Sequence, residues 1–262
     1  WYMRILLPEP FLACSLAQQC VEAFQKTDDV RNLLNCQILL GMAQKELGEL
    51  AASAATLQSS LELAERQGEP FMVATAKLYL ASFLSDQCEP EQLERAQHLA
   101  GAMLELNLSP SYTGFAHSVL SQILLQKGEP QAAVEHARTA VTMLAMMRPY
   151  QIVACINLSR ALLALGQVTA ARAAAEEGLQ IVTDLGGSGY NEVSSWLAVA
   201  QARHAAGDPA AAREALARAL TELDHRAAQI SDPQKRARFL QEVRDNARAC
   251  ELGRAWLGRA AG

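Results

Sequence analysis

Five turn signals fall in step along this chain. They are Gly48-Glu49, Cys88-Glu89-Pro90, Gly128-Glu129-Pro130, Gly166-Gln167 and Gly207-Asp208-Pro209, so positions 48, 88, 128, 166 and 207 are separated by 40, 40, 38 and 41 residues. A second set lies half a period away, at Gly68-Glu69-Pro70, Ser109-Pro110, Arg148-Pro149 and from Gly186 to Gly189. Self-similarity of this kind dictates an array of one small unit rather than a single globular core. Glycine closes a helix in the left-handed conformation, and proline opens the next one where its missing N–H is not needed. The chain therefore reads helix, turn, helix, turn, with each helix roughly 15–18 residues and about 25 Å long.

The stretch Ser111–Tyr150 shows one unit most clearly. Phe115, Val119, Leu120, Ile123 and Leu124 recur at helical spacing before Gly128, and Ala133, Ala137, Ala140 and Val141 recur after it. On this pattern residues 1–29 are a partial N-terminal repeat, residues 30–229 are five helical hairpins, and residues 230–262 are a C-terminal cap. Trp1–Leu7 is the end of a truncated helix or a strand-like tail, and Phe11–Thr27 is the second helix of the incomplete repeat. Asp28-Asp29 and Ser231-Asp232-Pro233 are helix starts. An atypical final segment is expected of a solenoid, because the last repeat otherwise exposes its apolar face. Phe239, Leu240, Val243, Leu252, Trp256 and Leu257 supply the covering surface.

The residues around the mid-hairpin turns resemble the tetratricopeptide repeat. Leu40-Gly41 precede Gly48, Leu120-Ser121 precede Gly128, Leu158-Ser159 precede Gly166, and Trp196 with Val199-Ala200 precede Gly207. Small residues follow the turns at Ala133/Ala137/Ala140, Ala171/Ala175/Gly178 and Ala212/Leu216/Ala219. The second unit departs, since Ala96 and Ala100 imply about three extra residues after Cys88, and the first carries Ser53, Leu57 and Ser60 at these places. The period near 40 exceeds the family's 34, so the resemblance is to long-helix bacterial variants and covers Asp29–Ala228. Arg236–Leu240, Asp245–Arg248 and Ala255–Leu257 are similar to the end of such regions in large bacterial Ser/Thr kinases and signal-transduction ATPases. The resemblance implies an all-α, right-handed solenoid of antiparallel hairpins with a C-terminal helical cap. It also implies a cytoplasmic regulatory or interaction region. The start at Trp1 is read as the edge of a fragment of a longer protein.

Charge and composition narrow the function. The net charge of −5 argues against a general nucleic-acid binder, which is usually basic. No apolar run approaches a membrane span. Six cysteines without a Cys-x-x-Cys pair read as buried free thiols in a reducing compartment. Gly186–Gly189 lacks the Lys-Ser/Thr ending of a phosphate loop and falls where the repeat demands a turn. The five histidines show no metal spacing, although His117 and His136 meet if the hairpin forms. Glu46, Glu49, Glu176 and Glu177 read as solvated helix charge, and the basic cap as a solvated face. No catalytic constellation, cofactor site or metal site is expected.

What remains is a concave groove, lined in the resembling family by the first helix of each hairpin. Its register points to Asn35, Met42, Lys45, Thr75, Ser82, Asp86, Ser118, Gln122, Gln126, Arg160, Gln201 and His204, with Ile38, Leu78, Ile156 and Leu197 as apolar contacts. The carboxylate clamp of chaperone-tail binders is absent, since its positions hold Ile38, Met42, Tyr79, Phe115 and Val119. The expected partner is a protein or peptide read by amide hydrogen bonds and apolar contact. The alternative is a small-molecule effector sensed for an attached kinase or ATPase. Self-association through exposed repeat ends is a further expectation.

Overall fold

The computed structural model describes residues 10–106, 108–187 and 191–259. Among these residues there are thirteen α-helices and no strand. The expectations for Trp1–Leu7 and for Ser188–Tyr190 lie outside the described residues. The elements are α1 (Pro10–Phe24), α2 (Val30–Glu46), α3 (Leu50–Gln67), α4 (Pro70–Leu84), α5 (Pro90–Leu106), α6 (Pro110–Gln126), α7 (Pro130–Met143), α8 (Arg148–Ala164), α9 (Val168–Asp184), α10 (Glu192–Ala205), α11 (Pro209–Ala228), α12 (Pro233–Gln241) and α13 (Arg244–Leu257). Each helix packs on the next, and α2, α4, α6, α8 and α10 also touch one another in series. That second set of contacts makes a wall of first helices.

Local chemistry fixes the ends. Asp29 accepts the Asn32 amide, Glu69 those of Phe71 and Met72, and Asp232 those of Gln234 and Lys235. Each satisfies donors that the first helical turn leaves open. At the mid-hairpin turns, residues 48, 88, 128, 166 and 207 all have positive φ, and Cys88 (φ 60°) is the one non-glycine among them. The second unit's turn is longer, but not after Cys88 as expected: Ser85–Glu89 separates α4 from α5, and the added length lies before Cys88 because α4 ends at Leu84. A side chain in the left-handed region costs roughly 1–2 kcal/mol. Cys88→Gly is therefore expected to stabilise the protein by about 1 kcal/mol in urea unfolding, even though glycine loosens the unfolded chain.

Inside a hairpin, small residues bring two backbones together. Ser53 donates to the Gly41 carbonyl at 2.6 Å and Ser121 to the Ala133 carbonyl at 2.8 Å. Ala133, Ala137 and Ala140 are fully buried. A Cβ on Gly41 would stand 2.7 Å from Leu57 Cγ. The apolar core runs along the whole array, between the helices of each hairpin and between neighbouring hairpins.

The cap does more than cover the last repeat. α13 packs on α10 and α11, and α12 turns back across the groove to the first hairpin. Lys235 pairs with Glu49 at 2.8 Å and lies over the Phe11 ring at 5.7 Å from its centre. Leu47 joins the apolar cluster that holds Phe239. At Gly48 an added Cβ would come within 2.7 Å of the Arg238 carbonyl oxygen. The array is thus closed from its C-terminal end onto its first hairpin.

Two further expectations need correction. Glu49 and Glu176 are paired: helix packing brings Lys235 to Glu49 and Arg203 to Glu176, and Arg172 lies one turn from Glu176 on the same helix. The basic cap is a solvated face at Arg238, Arg244, Arg248, Arg254 and Arg259, with Arg248 on Glu251 and Arg259 on Asp224, while Arg226 is buried on Glu222 and Arg236 is half-buried on the Ile230 carbonyl. Among the cysteines only Cys155 is buried, and Cys88 is exposed because it occupies the turn.

His117 and His136 do meet, with Nδ1 atoms 2.8 Å apart. Burial, then the neighbouring imidazole, holds His117 below its usual 6.5, and burial does the same to His136. Groups with depressed folded values bind protons more readily once unfolded. The pair's contribution is present above about 6.5 and is lost as pH falls below it. Thermal unfolding followed across that window is expected to show a falling midpoint, flattened in a His117→Gln/His136→Gln variant.

Candidate functional site

The wall of first helices and the returning cap enclose a chamber of about 360 Å³. Its floor is a row of polar side chains that ties successive hairpins together. Lys45 on α2 pairs with Asp86 at 2.5 Å, and the Gln122 amide on α6 donates to the same carboxylate. Outside the chamber, Gln126 extends the same tie between hairpins by donating to the Ser85 carbonyl at 2.6 Å. Asn157 on α8 donates to the Ser118 carbonyl at 3.1 Å and to its hydroxyl at 3.3 Å. Three rings stand beside this row: Phe115 lies 5.4 Å from Tyr79 and 5.3 Å from Tyr150, ring centre to ring centre. The two tyrosine hydroxyls bond each other at 2.9 Å. Buried hydroxyls satisfied in this way keep the wall rigid.

The far wall of the chamber belongs to the cap. Glu242, Val243, Arg244, Asp245 and Asn246 line it. Asp245 accepts from Arg160 at 2.8 Å, with only 25% and 20% of the two side chains exposed. Burial pushes the Asp245 carboxyl up, but the Arg160 charge and hydrogen bonds from Arg160 and Ser194 outweigh it and hold the group below the usual carboxylate range. Asn246, itself buried, donates to the Phe239 carbonyl at 2.9 Å and fixes the bend between α12 and α13. Among the described residues, no three His, Cys, Asp or Glu side chains converge on a metal position.

A tetratricopeptide-repeat family model matches residues 152–177, which are most of α8, its turn and the first half of α9. The fold is that of the tetratricopeptide repeat. The crystal structure of BtubC (BKLC) from P. vanneervenii aligns with a TM-score of 0.57 at 16% identity, covering 86% of this chain and 94% of that one. The putative kinesin light chain of Podosopora anserina, with nearly identical TPR-like repeats, aligns at 0.50 and 19% identity, covering 73% and 95%. A variant of the same protein gives 0.51 and 20%, with the same coverage. No curated protein matches this chain. No described helix is long and apolar enough to cross a membrane.

Within the tetratricopeptide fold, Met42, Lys45, Ser82, Asp86, Ser118, Gln122 and Arg160 are brought together around the chamber. Asn35, Thr75, Gln126, Gln201 and His204 do not line it. Thr75 is buried between repeats, on the Phe71 carbonyl at 2.8 Å and the Tyr112 hydroxyl at 2.9 Å. His204 stacks on Trp256 of the cap, 4.3 Å between ring centres and 9° from parallel. Of the expected apolar contacts, Ile156 lines the chamber, whereas Ile38, Leu78 and Leu197 are buried between helices. Sequence reasoning missed Phe115, Tyr150 and Asn157. Continuing the helical step from Phe115 to Ser118, and from Arg160 back to Asn157, would have found two of them. Nothing local marks Glu242–Asn246 as part of the same site.

Proposed function

We propose that this chain is a protein- or peptide-binding scaffold, the interaction or regulatory region of a larger cytoplasmic bacterial signalling protein. The observation that carries the reading is the polar row on the wall of first helices. Lys45, Asp86, Gln122, Asn157 and Arg160 present hydrogen-bonding groups from successive hairpins to one concave space, flanked by aromatic rings. A preformed groove of this kind reads an extended or helical segment by polar contacts, with apolar surface supplying affinity. The test is selection of random dodecapeptides displayed on phage against the wild-type chain. Counter-selection uses the Gln122→Ala/Arg160→Glu variant, with its fold checked by circular dichroism. Convergent sequences lost on the variant are the expected result. Sequences that bind both chains equally would end the reading.

One observation favours a second reading, a small-molecule sensor. The chamber of about 360 Å³ lies at the small end of ligand pockets. Ligand at a hundred times its Kd stabilises the folded state by about 2.7 kcal/mol. A thermal-shift screen of small polar metabolites is the corresponding measurement, and a chain that shifts with none of them excludes this alternative.

A further inference from the structure

The C-terminal cap already places a polypeptide segment in the concave space. Glu242–Asn246 runs across it, and the segment's Asp245 carboxylate sits on Arg160 and Ser194. We propose that this segment is an intramolecular occupant of the groove, and that the external partner it excludes is a peptide segment presenting an Asp or Glu side chain to Arg160. The inference rests on the peptide-binding reading above.

Charge complementarity identifies the partner's chemistry. Lys45 and Asp86 satisfy each other, with Gln122 on the same carboxylate, and all three stay with the repeats when the cap lifts. Arg160 does not, since its carboxylate belongs to the cap. A guanidinium left in the concave wall without its anion loses a charge-assisted hydrogen bond, and an incoming carboxylate restores it. An amine or a purely apolar segment offers nothing equivalent.

The hinge and the latch are separable. α13 is anchored on α10 and α11 through its C-terminal half, where Leu220 packs against Gly253, and its first turn, which carries Asp245, lifts with α12 when the latch opens. The outer part, α12, is held to the first hairpin by the Lys235–Glu49 pair, by Phe239 and by the close approach of the Arg238 carbonyl to Gly48. The groove binds an outside segment only in the fraction of molecules whose latch is open, so apparent affinity falls by that fraction.

Gly48 supplies a controlled wedge. Gly48→Ala and Gly128→Ala carry the same backbone strain, at φ +73° and +78°, but only the first drives a methyl group into the cap. The full chain is compared as wild type, Gly48→Ala and Gly128→Ala. One readout is amide hydrogen exchange over residues 239–246. The other is fluorescence anisotropy with a labelled peptide copying Arg238–Ala249, and with the same peptide carrying Asp245→Ala. Expected for Gly48→Ala alone is exchange at least about tenfold faster and peptide binding at least about tenfold tighter, since the latch tax is lifted. The Asp245→Ala peptide is expected to lose that binding. Should Gly48→Ala fail to fold, Lys235→Glu sets a like charge against Glu49 and loosens the same latch. If the cap opens and the cap peptide does not bind, this inference is overturned, while the phage selection above decides the peptide-binding reading separately. If peptide binds the wild-type and opened chains equally, the groove reading stands and the gating is overturned. Tight binding by the Asp245→Ala peptide overturns the acidic-partner assignment. Equal exchange in Gly48→Ala and Gly128→Ala overturns the latch.

Discussion

Gly41→Leu is expected to destabilise the protein by about 2–3 kcal/mol. Gly41 lies on α2 where that helix crosses α3, and even a bare Cβ there would stand 2.7 Å from Leu57 Cγ and 2.8 Å from a Leu57 methyl. Leu57 cannot retreat, because it is fully buried with Leu61 and Ala64 beside it in the same cluster. Ser53 reinforces the approach through its 2.6 Å bond to the Gly41 carbonyl. A larger residue must separate the helices, lose that bond and open voids along the seam. The measurement is the urea midpoint of Gly41→Leu, of Leu57→Ala, and of the two combined. Leu57→Ala alone removes a buried side chain and costs about 2–5 kcal/mol. The double variant exchanges large for small across one contact, so its loss is expected to be well below the sum. Simple additivity would show that the two residues do not share the space.

Asp245→Ala is expected to cost about 2 kcal/mol, less than a fully buried pair because both side chains keep some exposure. The loss comes chiefly from Arg160, left among Asn157, Ile156 and Ser194 without a counter-charge. Replacing both partners is expected to be milder than replacing one, so Arg160→Met/Asp245→Ala should recover much of the loss. The pH dependence has a definite sign. The Asp245 carboxyl lies below 3.8 when folded, so its contribution is complete above that value and is lost as pH falls through the lower folded one. Acid titration of the wild type against the Arg160→Met/Asp245→Ala variant isolates this contribution. Identical acid profiles would show that the pair adds no stability.

The repeat was legible because its signals are local. A glycine in the left-handed region, a proline at the next helix start and an alanine where two helices cross each act over a few residues. Cys88 shows the limit of reading by residue type, since it fills a glycine's role by position alone. The polar side of the groove was largely legible for the same reason: Lys45, Asp86 and Gln122 lie where the family register puts inward-facing residues. Ile38, Leu78 and Leu197 were not, because one residue along a helix turns a side chain by roughly 100°, from a groove to a seam. The return of the cap had no local signature at all. Arg160 and Asp245 are 85 positions apart, and an arginine before a turn and an aspartate at a helix start are each ordinary alone.

The contact between Lys235 and Glu49 joins residues 235 and 49, a separation of 186. An open array of repeats is built almost wholly from contacts between sequence neighbours, and such chains fold quickly because little entropy is spent before contacts form. Here one contact must wait for everything between its ends, since neither partner is in place until the intervening hairpins have formed and set their curvature. Refolding should therefore end in a separate kinetic phase, in which a nearly complete array closes. The time spent before that phase is when the groove stands open to whatever else is present as the chain matures.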